Sequence, residues 1–156
     1  MATLRETGVG ILNAGEDSHK TFCAIPWIHR QTDEQGFHQL CAVAVGDGNN
    51  LSNTKGERLH ISQQLTDDEF LNSPQVKAVR KQMMRGEWPA ACDRCWQTEQ
   101  SGSTSIRQHL NSQFGQDPQA LLRRTSEDGL LDRPIVRFAD IRLGNVCNLT
   151  CRMCGR

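Results

Sequence analysis

The chain has 156 residues, enough for one ordinary domain with its own core. Its 18 basic and 18 acidic residues cancel, leaving no electrostatic footprint for nucleic acid and no acidic tail. Seven cysteines in a sequence with no export-type leader and no bilayer-length apolar run argue against a complete disulfide framework. They point instead to metal or redox chemistry in a reducing, cytoplasmic setting, away from membranes.

Residues 1–20 are polar and broken by Gly8, Gly10 and Gly15, and read as a loose leader. Residues 21–30 (TFCAIPWIHR) form a short apolar run, and residues 37–45 (FHQLCAVAV) alternate and are rich in valine. Joined by the polar turn at 31–36, they predict a β-hairpin in which Gly36 takes the permissive backbone position. Pro26 demotes the first run to an edge strand or an irregular entry. Such a hairpin would carry Cys23 and Cys41 on neighbouring strands. Residues 46–57 are a loop by composition.

Thr66 and Glu69 have capping-box spacing and predict a short helix. Ser73 and Pro74 restart it, with Val76, Val79 and Met83 recurring at helical spacing and Gly86 ending it. Lys77, Arg80, Lys81 and Arg85, toward the negative end of that helix, are expected on a solvated face. A tight C-x-x-C follows, Cys92 and Cys95, bounded by Trp88, Pro89 and Trp96. Further helices are predicted over 101–115 and from Asp117-Pro118 to Arg124, then a turn at 127–129. The run 134–143 is β-rich, and Gly144 and Asn145 turn it into the last dozen residues.

That last stretch holds Cys147, Cys151 and Cys154 in a C-x-x-x-C-x-x-C array. Three thiolates this close can grip three corners of a cubane iron–sulfur cluster, leaving one iron open to a small molecule. Zinc prefers a closed set of four ligands, and the local stretch supplies three. The remaining cysteines, Cys23, Cys41, Cys92 and Cys95, make a full set of four for a second 4Fe–4S cluster or for a structural zinc. His19, His29, His38, His60 and His109 have no ligand or triad spacing and are expected on the surface or in packing. Trp27, Trp88 and Trp96 flank cysteines, where either cluster shielding or ordinary core packing explains them. The short GVG and GDGNN stretches lack the strand–helix context of a phosphate loop.

The run CNLTCRMC resembles the signature of the radical S-adenosylmethionine (radical SAM) enzymes. The resemblance implies that Cys147, Cys151 and Cys154 hold the cluster that binds S-adenosylmethionine and cleaves it reductively. The resulting 5′-deoxyadenosyl radical would then abstract hydrogen from substrate. Met153 stands where the family often has an aromatic residue beside the adenine, which leaves only a weak adenine-side role for it. The stretch GFHQLC, preceded by Cys23, is similar to the start of SPASM and twitch auxiliary-cluster domains, and with the helices up to Arg107 it looks like radical SAM proteins of the twitch-domain type. This likeness covers roughly residues 21–156.

The implied architecture is an α+β auxiliary-cluster domain, a β-hairpin plus helices, over residues 21–132. The first strand and cluster loop of an incomplete α/β barrel, a partial TIM barrel, would follow over 133–156. A full barrel takes roughly 200 residues or more, so the chain is expected to be the N-terminal part of a longer enzyme, inactive alone. The implied partners are S-adenosylmethionine, an electron donor such as a flavodoxin or ferredoxin, and, by analogy, a peptide or protein substrate. The auxiliary cluster would serve electron transfer or structure. The alternative is a non-enzymatic iron–sulfur or zinc module that carries electrons or binds a partner.

Overall fold

The computed structural model describes residues 20–114, 117–142 and 144. The fold is α+β: a small three-stranded sheet in the order β2-β1-β3, surrounded by short helices. The first helix, α1 (Ile25–Ile28), is a single buried turn that opens with Pro26 in its first positions. Pro26 therefore starts a helix rather than an edge strand, a position where its missing N–H costs nothing.

The first strand of the hairpin begins eight residues after the start of its apolar run, at residue 29 rather than 21. Strand β1 (His29–Thr32) pairs antiparallel with β2 (His38–Gln39), with Gln31 opposite Gln39 and Thr32 opposite His38. The turn between them is closed by Asp33, whose N–H reaches the Phe37 carbonyl at 2.9 Å and whose carboxylate accepts from the Gln35 and Phe37 amides. Gly36 sits at φ +86°, and a Cβ there would lie 2.7 Å from Nε2 of His60, so the position requires glycine. Cys23 and Cys41 lie outside both strands, one before α1 and one after β2. The expected placement on neighbouring strands is thus corrected: the apolar run spends its first residues on a helical turn.

Helix α2 (Asp67–Leu71) starts on the expected capping box, with Thr66 Oγ1 accepting from the Glu69 amide at 3.2 Å and Glu69 accepting from the Thr66 amide at 2.8 Å. Helix α3 (Pro74–Met84) buries Val76, Val79 and Met83, and Gly86 follows at φ +74°. It also buries Arg80 completely. The guanidinium donates to the Leu71 carbonyl and, at 2.8 Å, to Asn72 Oδ1, and lies 6.0 Å from the centroid of Trp27. The expectation of a solvated basic face fails at that residue, because Arg80 falls on the same helical stripe as Val76 and Met83.

Helices α4 (Asp93–Gln100), α5 (Ile106–Gln113) and α6 (Pro118–Arg123) follow. Gly102, at φ +78°, separates α4 from α5, so α5 begins at the Ser105–Gln108 capping box rather than at residue 101. Strand β3 (Phe138–Asp140) runs parallel to β1, with His29 opposite Phe138 and Gln31 opposite Asp140. Among the described residues of the β-rich run 134–143, only these three are strand, and they join the sheet of the hairpin. The core gathers Phe22, Trp27, Ile28, Leu51, Phe70, Leu71, Val76 and Met83 around α1. Among the described residues, no helix is long and apolar enough to cross a membrane.

Candidate metal centre

Cys23, Cys41, Cys92 and Cys95 line one cavity of about 30 Å³. They arrive from three segments far apart in sequence. Cys23 sits in the buried entry to α1. The Asn111 side chain on α5 holds that entry from both sides, accepting from the Ala24 amide at 2.9 Å and donating to the Phe22 carbonyl at 3.0 Å.

Cys41 opens the loop after β2. Its amide donates to Asn49 Oδ1 at 3.1 Å, and the amides of Ala42, Val43 and Ala44 face its sulfur. Cys92 ends a 3-10 turn (Ala90–Cys92) and Cys95 lies in the first turn of α4, so the C-x-x-C spacing puts both thiols on one side of a helix start. The Val45 amide, bonded to the Ala91 carbonyl at 2.9 Å, ties the Cys41 loop to this turn. Close approach of Gly48 to Ala91 packs the same seam, since a Cβ on Gly48 would lie 3.1 Å from that of Ala91.

All four sulfurs are free thiols. The other walls are apolar, built from Ile25, Pro26, Leu40, Val43, Ala44, Met83, Ala91, Ile106 and Leu110, with Arg107 as the one charged lining residue among those described. Burial pushes the Cys92 thiol up to about 12, with Cys41 and Cys95 adding to the rise and Arg107 opposing it. It pushes Cys23 and Cys41 up as well, and each feels the charge of other cysteines in the set. Without a metal the thiols of Cys23, Cys41 and Cys92 therefore stay protonated at neutral pH, and cation binding there must release protons.

Four thiols are a donor set that suits either a structural zinc or a polynuclear cluster. Zinc at about 2.3 Å from each sulfur would draw its ligands around one point. Among the described residues, no three His, Cys, Asp or Glu side chains are grouped tightly enough to hold one metal ion. The four cysteines nevertheless line one common cavity.

Arg107 is the feature that sequence reasoning missed. It lies on α5, and its Nε donates to Glu99 Oε1 at 2.9 Å while Nη2 donates to Glu99 Oε2. Its Nη1 reaches the Phe22 carbonyl at 2.6 Å, and the Trp88 ring lies 4.9 Å away. The eight-residue separation of Glu99 and Arg107 across Gly102 is no helical spacing, so no pattern in the sequence announces the pair.

None of the three tryptophans is among the residues that line the thiol cavity. Trp27 is buried in the core, its Nε1 bonded to Thr125 Oγ1 at 2.8 Å. Trp88 and Trp96 pack on each other at 4.7 Å beside a second, more open hollow shared with Arg85, Glu99 and Arg107. His29 and His38 are buried packing residues, and His60 caps the turn Ile61–Gln63. Cys147, Cys151, Cys154 and Met153 lie outside the described residues. Compared with protein families, curated proteins and solved structures, the chain matches none.

Proposed function

We propose that residues 20–142 form an iron–sulfur module whose cluster is held by Cys23, Cys41, Cys92 and Cys95. The observation that carries this reading is that four free thiols, brought from three segments, line one apolar cavity. A 4Fe–4S cluster in that position would supply one-electron redox chemistry, or a staple for a chain with this modest core.

We further infer that the module serves a radical SAM enzyme, with Cys147, Cys151 and Cys154 holding the S-adenosylmethionine-cleaving cluster. The spacing of those three cysteines and the division of the seven into three plus four support it. On this reading β3 leads from the auxiliary module toward that cluster loop, an electron donor of flavodoxin or ferredoxin type feeds it, and a peptide is the substrate class suggested by analogy. The free thiols suit a reducing, cytoplasmic compartment.

The test is iron, sulfide and zinc content after anaerobic reconstitution, with Cys147, Cys151 and Cys154 replaced together by alanine in a parallel sample. About eight irons in the parent and about four in the triple variant support both clusters. Zinc in place of four irons makes the cavity a structural zinc site. Iron in neither sample sinks the reading.

A further inference from the structure

We propose that Arg107, held in place by Glu99, sets the reduction potential of the cluster in the four-cysteine cavity. The inference rests on the iron–sulfur reading of that cavity, and it concerns a residue that none of the cysteine spacings identifies.

Four thiolates around a cluster give the cavity a negative charge, and one-electron reduction makes it more negative without moving a proton. A fixed positive charge in the wall stabilises the reduced form more than the oxidised one. The effect is large where apolar walls keep water out. Arg107 is that charge: its side chain is 8% exposed and it lines the thiol cavity, whereas Glu99 lines only the outer hollow.

Arg107 is thus the member of the ion pair that borders the thiols, and its charge is felt at Cys92. Its position is fixed. Two bonds to Glu99, one to the Phe22 carbonyl and the face of Trp88 hold the guanidinium, and Ser105 Oγ donates to the same carboxylate at 2.5 Å. An arginine fork suits these partners where a lysine ammonium, a single point, does not.

The two members of the pair should act with opposite sign. Removing the cation with Arg107→Met lowers the potential, and neutralising its counter-charge with Glu99→Gln raises it. A role confined to folding would move iron loading or stability in the same direction in both.

The experiment uses the full chain carrying the Cys147, Cys151 and Cys154 alanine substitutions, so that only the four-cysteine site reports. Reconstituted protein is titrated anaerobically with dithionite and redox mediators, and the reduced cluster is followed by electron paramagnetic resonance at equal iron content. The expected result is a tenfold lower reduced-to-oxidised ratio at fixed potential in Arg107→Met, equivalent to about 59 mV for one electron. Glu99→Gln shifts the other way. Unchanged potentials with iron intact, or shifts of the same sign, overturn the proposal while leaving the cluster reading standing. Should Arg107→Met fail to load iron, the sign of the Glu99→Gln shift decides alone. A background protein that loads no iron overturns the cluster reading and this inference together.

Discussion

The imidazole of His29 stacks on the ring of Phe138 at 4.7 Å between centroids and 24° between planes, and the same two residues are register partners where β1 and β3 run parallel. Phe114 stacks on Phe138 as well, again at 4.7 Å. The strand is pinned further by the Arg137 amide on the Ile28 carbonyl at 2.7 Å and the Val136 amide on Asp67 Oδ2 at 2.9 Å. The segment that continues toward Cys147 is therefore anchored on the same hairpin that precedes Cys41.

This anchor makes stability sensitive to acid. Burial lowers the His29 pKa to about 4, with the Asp140 carboxylate and the Leu40 backbone opposing the shift. The unfolded chain takes up the proton near pH 6.5 and the folded chain only near 4. The contribution is thus complete above pH 6.5 and is lost as pH falls toward 4, by up to about 3 kcal/mol. His38, also lowered by burial, adds to the same slope. Urea midpoints at pH 7.5, 6 and 5 should fall less steeply in His29→Phe than in the parent; parallel slopes would remove His29 from the account.

Asn72 is a junction between three segments. Its Oδ1 accepts from Arg80 at 2.8 Å and from the Leu131 amide at 2.9 Å, and its Nδ2 donates to the Leu131 carbonyl at 3.0 Å. Asn72→Ala strands both backbone groups of buried Leu131 and takes a partner from a buried cation, a loss of about 3 kcal/mol. Arg80→Met should cost less, about 1 kcal/mol, because it also removes a guanidinium whose Nε and Nη1 are buried without partners. Denaturant unfolding of the two variants ranks them. A greater loss in Arg80→Met would show that the charge is net favourable where it lies.

How much of this was legible follows from the range of each signal. The capping boxes and terminal prolines act within four residues, so the starts of α2, α3 and α6 and the turn at Gly36 could be read directly. The hairpin was legible but displaced, because residues 25–28 are apolar enough for a strand and are drawn into a helical turn by Pro26 and by burial. The buried face of Arg80 was not legible, since its partners at Leu71 and Asn72 lie across a helix break. The grouping of Cys23, Cys41, Cys92 and Cys95 came from counting thiols rather than from local pattern. The Arg107–Glu99 pair beside them depends on how α4 and α5 pack.

Gly129 provides a steric test of the contact between α3 and the turn before β3. It lies at φ +86°, and a Cβ would stand 2.2 Å from the Lys77 carbonyl oxygen, a backbone atom that can yield only if the helix moves. Gly129→Ala should cost about 3 kcal/mol or more, combining left-handed strain with the clash. Gly56, at φ +83° with open space around it, isolates the strain alone, and Gly56→Ala should cost about 1 kcal/mol. Thermal midpoints of the two variants measure the difference. Equal losses would mean that the turn can slide away from α3.

Thr125 completes the surroundings of Trp27. Its hydroxyl accepts from the indole Nε1 at 2.8 Å and donates to the Leu121 carbonyl at 2.8 Å, so one oxygen joins the largest fully buried side chain among the described residues to the end of α6. Thr125→Val keeps the branched shape but leaves the indole N–H unpaired in a dry core, and should cost about 2 kcal/mol. Thr125→Ser keeps the hydroxyl and loses one methyl, a cost of about 1 kcal/mol. Urea unfolding should therefore place the serine variant above the valine variant. The reverse order would mean that the methyl group, and not the hydroxyl, holds α6 against Trp27, since packing would then outweigh the hydrogen bond at that contact.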